Sequence, residues 1–479
     1  MFKQKTLVFA LLIAPILSWA GYKEPPAPQD DREFFVVEEQ LPFDQIPGFE
    51  TTTAWGIHKG AGYRIEIPAN WNGELFMFAH GFRGTGPELT VDSPPLPMRL
   101  WMLSQGFAWA ASSYTKNYYD VRSGVESTND LARFFASTYG TPSRTFITGF
   151  SMGGHVTGAA IEQFPNIACA PGRFGDLCRR LASILGTLSG GIQYSGAAPF
   201  CGVMGDVELF DYFGDFARGA EASAGVQLSS FPPPENYYAP DGLFGVVLNS
   251  LFQGGFAGFP NFRTAQGEQH KNFTEVISGG ERPGFDAAYP FWASFLYFGF
   301  GGSGGDLDGV VSGNLYDNIG KKYQLDGKRR LTDEERAFND AFKRISGDPG
   351  VNPRQRLKLQ RVPEISGRLA IPVVSTHTLG DLFVPFSMQQ IYAREARKQG
   401  RKKYLVSRAT RALGHCEFSS GELVNGIADM VAWANGGARP SGDRVLSKRA
   451  MADPNMGCKH STDDAQVQSR VAFGACPAE

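Results

Sequence analysis

The sequence predicts an α/β protein: a mostly parallel sheet flanked by helices, with a large insertion. Three observations carry that expectation. Apolar runs short enough for buried strands alternate with helical patterns along residues 60–200. The alternation stops near Val203 and resumes near Ile371. Between them in type, the run RTFIT leads through TGFSMGG straight into a helical pattern, as one βα unit reads.

The elements justify this in order. Lys3 and Lys5 precede an apolar run over 7–17, followed by Ser18-Trp19-Ala20, the layout of an export signal cleaved near Ala20. The run is about half of the roughly 20 apolar residues a spanning helix needs, so no stable membrane anchor is expected. Residues 21–32 are proline-rich and charged, a lead-in without a core pattern. Residues 63–67 alternate like a half-buried strand, whereas 75–79 and 107–111 are nearly continuously apolar, as strands covered on both faces are. A helix is expected over 125–139 with Leu131, Phe134 and Phe135 on one side, a strand over 145–148, and a helix over 151–164. These belong to the first part of a core, 21–202.

Residues 203–368 form the insertion, expected as a cap domain rich in glycine, proline and phenylalanine. Most of its aromatic residues are expected to build its own core, with about a third lining a substrate pocket. One helix in it is marked by a capping box at Thr332 and Glu335, an apolar stripe of Phe338, Phe342 and Ile345, and a stop at Gly347. The core resumes over 369–435 with strands at 371–376 and 404–407 and a helix over 421–434. Residues 436–479 read as a polar, loop-like tail.

Bulk composition excludes several classes. With 42% hydrophobic and 20% charged residues the chain is a folded globular protein. A net charge of −2 gives no field for nucleic acid, and the basic run 397–403 reads as a solvated helix end. No cofactor is implied, and no metal: Cys458-Lys459-His460 lacks a second ligand pair. The six cysteines, an even set, fit an oxidising compartment where bridges form by default. Closeness in sequence favours Cys169–Cys178 and Cys458–Cys476, leaving Cys201 with Cys416.

The spacing G-x-S-x-G occurs at Ser151 and again at Ser303, in a chain with 58 glycines. A nucleophilic serine of this type needs a strand before it and a helix after it. Ser151 has both; Ser303 is followed by GGDLDGVVSGN, which starts no helix. A hydroxyl also needs a base, and His415 follows the last expected core strand. Asp381, just past the strand of IPVVSTH, is the expected orienting acid, with Asp206 as fallback and a plain turn role as the other reading. The order Ser151, Asp381, His415 is the one this architecture requires. Two backbone amides should receive the oxyanion: Met152, directly after the serine, and Phe82, positioned by His80-Gly81.

Together GFSMGG, HGFRG, GDLFVP and GHCEF resemble the serine α/β-hydrolase superfamily of esterases, lipases and related acyl hydrolases, over residues 60–200 and 370–435. The resemblance implies the α/β-hydrolase fold and an acyl-enzyme route on carboxylic esters, with aromatic composition favouring hydrophobic or aromatic acyl groups. Peptidase, amidase or acyltransferase chemistry on the same residues, and a non-catalytic binding protein on the same fold, are the alternatives. His415-Cys416 also resembles half of the tannase and feruloyl esterase arrangement, in which cysteines beside the nucleophile and the histidine are bridged; here Phe150 precedes Ser151. Cys201 follows the strand after the nucleophile helix, so a Cys201–Cys416 bridge would pin the histidine loop instead.

Overall fold

The computed structural model describes residues 32–163, 191–226, 237, 242–299, 314–348, 351–352, 359–462 and 464–476. The expected export signal, Cys169, Cys178 and Ser303 lie outside these residues. Two short strands, β1 (Phe35–Val36) and β5 (Glu88–Leu89), pair in parallel as a separate ribbon. The main sheet holds β2 (Thr51–His58), β3 (Ala61–Pro68), β4 (Glu74–Ala79), β6 (Ala108–Ser112), β7 (Arg144–Phe150), β8 (Gly196–Phe200), β9 (Val373–Thr378) and β10 (Leu405–Thr410). Their spatial order is β10-β9-β8-β7-β4-β6-β3-β2. Only β3 runs against its neighbours; every other pairing from β6 to β10 is parallel.

Strand β4 explains the layering. All six of its residues are buried, and successive side chains point to opposite faces. Leu75, Met77 and Ala79 join one apolar cluster, while Phe76 and Phe78 join another. The first face is covered by α2 (Val121–Tyr139) and α3 (Met152–Gln163), through residues such as Val125, Phe135, Val156 and Ala160. The second is covered by α1 (Leu96–Ser104) with Met98 and Met102, and by α10 (Ser420–Ala434) with Ile427 and Met430.

Between β8 and β9 the described residues add helices but no strand of the main sheet: α4 (Glu208–Ala224), α5 (Leu243–Leu251), α6 (Ala265–Ser278), α7 (Phe285–Gly299) and α8 (Asp333–Ala341). The aromatic residues of this insertion are not confined to a core of its own. Phe210, Phe213 and Phe216 of α4 and Tyr289 and Tyr297 of α7 pack in the same cluster as Met152 and Val156. Helix α4 follows β8 closely and so carries its apolar stripe onto the sheet's helical layer. Among the described residues only a satellite of Phe273, Tyr323, Phe338 and Phe342 belongs to the insertion alone.

Several expected boundaries shift, each for a local reason. Helix α2 starts at Val121, not 125, because Asp120 caps it by accepting from Ser123 N. The capping box of Thr332 and Glu335 forms, but α8 ends at Ala341, so neither Ile345 nor Gly347 belongs to it. Phe342 is extended there and stacks on Tyr323, while Asn339 trades hydrogen bonds with the Tyr323 backbone. Glu66 sits on an alternating strand yet is fully buried, because α1 covers it with Arg99, which binds both carboxylate oxygens, and Trp109 Nε1 donates to it as well.

The tail also differs from the expected polar loop. Helix α9 (Ser387–Lys398) precedes β10, and after α10 the chain folds back through α11 (Lys448–Met451) and short 3₁₀ turns. Val445, Met451 and Met456 pack on Leu379, Phe386 and Ala409. Cys458 and Cys476 are bridged as expected. The tail then grips the loop after β10: Ser461 Oγ accepts from Arg411 N at 2.9 Å, Ser469 Oγ from Leu413 N at 2.8 Å, and Arg470 Nε donates to Arg411 O at 2.8 Å. Among the described residues no helix is long and apolar enough to cross a membrane.

Candidate active site

Ser151 is the single residue between β7 and α3. Its φ is 57°, in the left-handed region that costs a non-glycine residue about 1 kcal/mol or more. The surroundings hold it there. Ser151 N donates to Phe200 O at 3.1 Å, and Ser151 O accepts from Gly154 N at 2.9 Å. The two motif glycines are forced by close approach. A Cβ on Gly149 would meet Gly153 O at 2.3 Å, and one on Gly153 would meet Ala79 O at 2.1 Å. Gly153→Ala is therefore expected to destabilise the fold by about 3 kcal/mol or more, as overpacking against fixed backbone does. Urea denaturation measures this; an unchanged midpoint would show that the helix can shift freely.

The imidazole of His415 is held by a buried carboxylate. His415 Nδ1 lies 2.6 Å from Asp381 Oδ2, and Asp381 is fully buried. Asp381 Oδ1 accepts from Phe383 N at 2.9 Å and Val384 N at 3.0 Å. With Nδ1–H donated to the acid, Nε2 is the nitrogen left to accept a proton. Ser151 and His415 line one cavity of about 360 Å³, together with Phe78, Phe82, Phe150 and Phe383. No hydrogen bond joins Ser151 Oγ to His415 Nε2 among the described contacts, and Cys416 Sγ lies 3.4 Å from that nitrogen. Such bonds commonly form only once substrate is bound.

Asp206, the fallback acid, is placed elsewhere. It accepts from Val207 N and Ile365 N, and burial pushes its carboxyl up to about 7. Among the described contacts none joins it to His415.

The loop after β4 lies against the serine. A Cβ on Gly81 would sit 3.3 Å from both Ser151 Cβ and Phe150 O. Burial pushes the His80 imidazole down to about 4, so it is neutral at pH 7. Its Nδ1 lies 2.6 Å from Gly81 O and its ring stacks on Tyr114 at 3.9 Å, which fixes the peptide leading into Phe82. Met152 N, the first amide of α3, has no acceptor within the helix. Met152 follows the serine in sequence, and Phe82 follows Gly81 and lines the same cavity as Ser151.

Cys201 and Cys416 are bridged, with Cα atoms 5.3 Å apart and 215 residues between them in sequence. Cys201 N donates to Thr376 O, so the bridge joins the end of β8, beside β9, to the residue after His415. The two sulfurs and a His415 nitrogen lie within 4.8 Å of one another, a spacing that would suit a metal ion. Both thiols are consumed by the bridge, so the set offers no thiolate.

Two contacts around the site come from residues of the insertion that no motif marks, Trp292 and Arg282; Phe383, inside GDLFVP but given no role there, meets His415 with its ring edge-on at 4.9 Å. Among the described residues no aromatic residue of 203–368 lines this cavity; its described aromatic walls are Phe78, Phe82, Phe150 and Phe383. Arg83 and Asp92, which also line it, form an ion pair. Two larger clefts, about 670 and 730 Å³, run along α9 and the tail and contain neither Ser151 nor His415.

The strand order, the lone antiparallel strand β3 and the sharp turn at Ser151 are those of the α/β-hydrolase fold, and the chain has that fold. No family model matches the sequence. A stretch of 108 residues is 32% identical to the o-phthalyl amidase of Xanthobacter agilis and covers 22% of each chain, so the match spans about a fifth of that relative. Among solved structures, feruloyl esterase B from Aspergillus oryzae is similar over 88% of this chain and 87% of its own, at 13% identity and a TM-score of 0.45. The rice cell wall degrading esterase LipA from Xanthomonas oryzae covers 78% and 85%, at 14% identity and a TM-score of 0.34.

Proposed function

We propose that this protein is an exported serine hydrolase that cleaves carboxylic esters through an acyl-enzyme. The observation that carries the reading is that Ser151, on a left-handed turn, lines the same cavity as an imidazole whose Nδ1 is bound by the buried Asp381. In this scheme Ser151 Oγ attacks the carbonyl carbon and His415 Nε2 takes its proton. The amides of Phe82 and Met152 receive the oxyanion of the tetrahedral intermediate. Collapse breaks the ester bond, and His415 returns the proton to the leaving alcohol. Water, deprotonated by the same nitrogen, then releases the acid and regenerates Ser151.

The walls of Phe78, Phe82, Phe150 and Phe383 favour a hydrophobic or aromatic acyl group. The stretch shared with an amidase supports amide cleavage at the same site as a second reading. Two bridges and the basic-then-apolar leader support export to an oxidising compartment. In this reading 203–368 acts as a cap on the core of 21–202 and 369–435.

Labelling with a serine-directed fluorophosphonate, followed by peptide mapping, tests the proposal. One adduct on Ser151 is expected, lost in Ser151→Ala. A folded protein that takes up no label at Ser151 and turns over no ester or amide overturns it.

A further inference from the structure

Helix α7 reaches the site from within the insertion. The indole Nε1 of Trp292 donates to Gly380 O at 3.0 Å and to Leu413 O at 2.8 Å. Gly380 immediately precedes Asp381, and Leu413 stands two residues before His415. A single N–H thus ties the acid loop to the base loop, from a residue 88 positions before one acceptor and 121 before the other. The same helix makes a second, independent contact. Phe295 meets Phe383 in a T at 4.7 Å, and Phe383 in turn meets His415 in a T at 4.9 Å. Phe383 N is also one of the two donors to Asp381 Oδ1. Just before α7, the buried Arg282 donates from Nε to Leu379 O at 2.7 Å.

We infer that Trp292 is a positioning residue for the Asp381–His415 pair, so that the seating of the insertion sets the geometry of the base. The inference rests on the hydrolase reading above. Trp292 lies outside the residues lining the cavity, so its effect is on the alignment of acid and base. The loops also bond directly, Gly380 N to Ala412 O at 2.9 Å and Thr378 Oγ1 to Gly414 O at 3.1 Å, so the indole N–H adds a tie from the insertion, and losing it removes this shared donor from Gly380 O and Leu413 O beside the pair. A displacement of about 1 Å in a catalytic constellation lowers rate by up to about 10², and one net hydrogen bond corresponds to about tenfold.

The test compares hydrolysis of p-nitrophenyl acetate by wild type, Trp292→Phe and Ser151→Ala. Trp292→Phe keeps a ring on α7 and removes the donor. Its kcat is expected to fall about tenfold with KM unchanged. The acid limb of its kcat/KM profile should move to lower pH, because a loosened carboxylate stabilises the imidazolium less. Replacing Trp292 by β-(3-benzothienyl)alanine, which keeps the outline of the indole without its N–H, should give the same two changes and decides the matter if the Phe variant does not fold. Wild-type kcat and pH profile in a folded replacement, with turnover lost in Ser151→Ala, overturn the positioning role alone. Turnover retained in Ser151→Ala overturns the hydrolase reading instead.

Discussion

Asp381→Asn is expected to lower kcat by about 10⁴ with little change in KM, the magnitude that follows when the imidazole is held in the wrong tautomer. The reason lies in how the carboxylate is held. Oδ1 accepts from two backbone amides, Phe383 N and Val384 N, and only an oxygen can occupy that position. An asparagine must therefore keep its carbonyl oxygen there and turn its NH₂ toward His415 Nδ1. That nitrogen must then accept, which leaves the proton on Nε2. A protonated Nε2 cannot take the proton of Ser151, so the base is lost while the fold around it survives. Steady-state kinetics on a p-nitrophenyl ester, with thermal melting to confirm folding, checks this. A variant retaining more than a tenth of wild-type kcat would remove Asp381 from the mechanism.

The second large effect is thermodynamic. Joint replacement of Cys201 and Cys416 by alanine removes a bridge that closes 215 residues of chain. In the chain-entropy account a loop of that size is worth about 5 kcal/mol, and for a chain this long that is roughly 5 °C in Tm. Replacing both residues avoids a free thiol that could pair elsewhere. Activity should fall together with stability, since Cys416 adjoins His415 and its partner is anchored on the end of β8. Calorimetry of the double variant, alongside wild type unfolded in reductant, measures the loss. An unchanged Tm would mean that the loops are held without the bridge.

Much of this site is legible in the sequence because it is written in local punctuation. A strand, a turn and a helix surround Ser151, and the turns carrying Asp381 and His415 follow strands in the required order. Each of these signals spans fewer than a dozen residues. Glycine is forced at 149 and 153 by backbone contacts, and the spacing of the motif records that need. Residues acting across the fold leave no such trace. Trp292 is one aromatic residue among many in the insertion, and its two acceptors are fixed only when β9 and β10 pair. The alternation around Glu66 is correct as a strand pattern, yet it carries no information that α1 will bring Arg99 over the carboxylate. The tail went unread as structure because Val445, Met451, Met456 and Val467 are too sparse to set a period, although each is buried. In α8 the cap was readable and the end was not, since Phe342 leaves the helix for a partner, Tyr323, that precedes it in the chain.

The grip of the tail on residues 411–413 has a consequence for how the molecule fails. Ser461, Ser469 and Arg470 hold the backbone just ahead of His415, while their own segment is held by a bridge of its own. A protease cutting between α10 and α11 would leave all eight strands paired and the cavity walls in place. It would nevertheless weaken the tether on the one loop that must keep an imidazole aimed. Under the proposed mechanism a nick far from the serine is therefore expected to lower turnover before the fold gives way, which limited proteolysis followed by an ester assay and a melting curve would show.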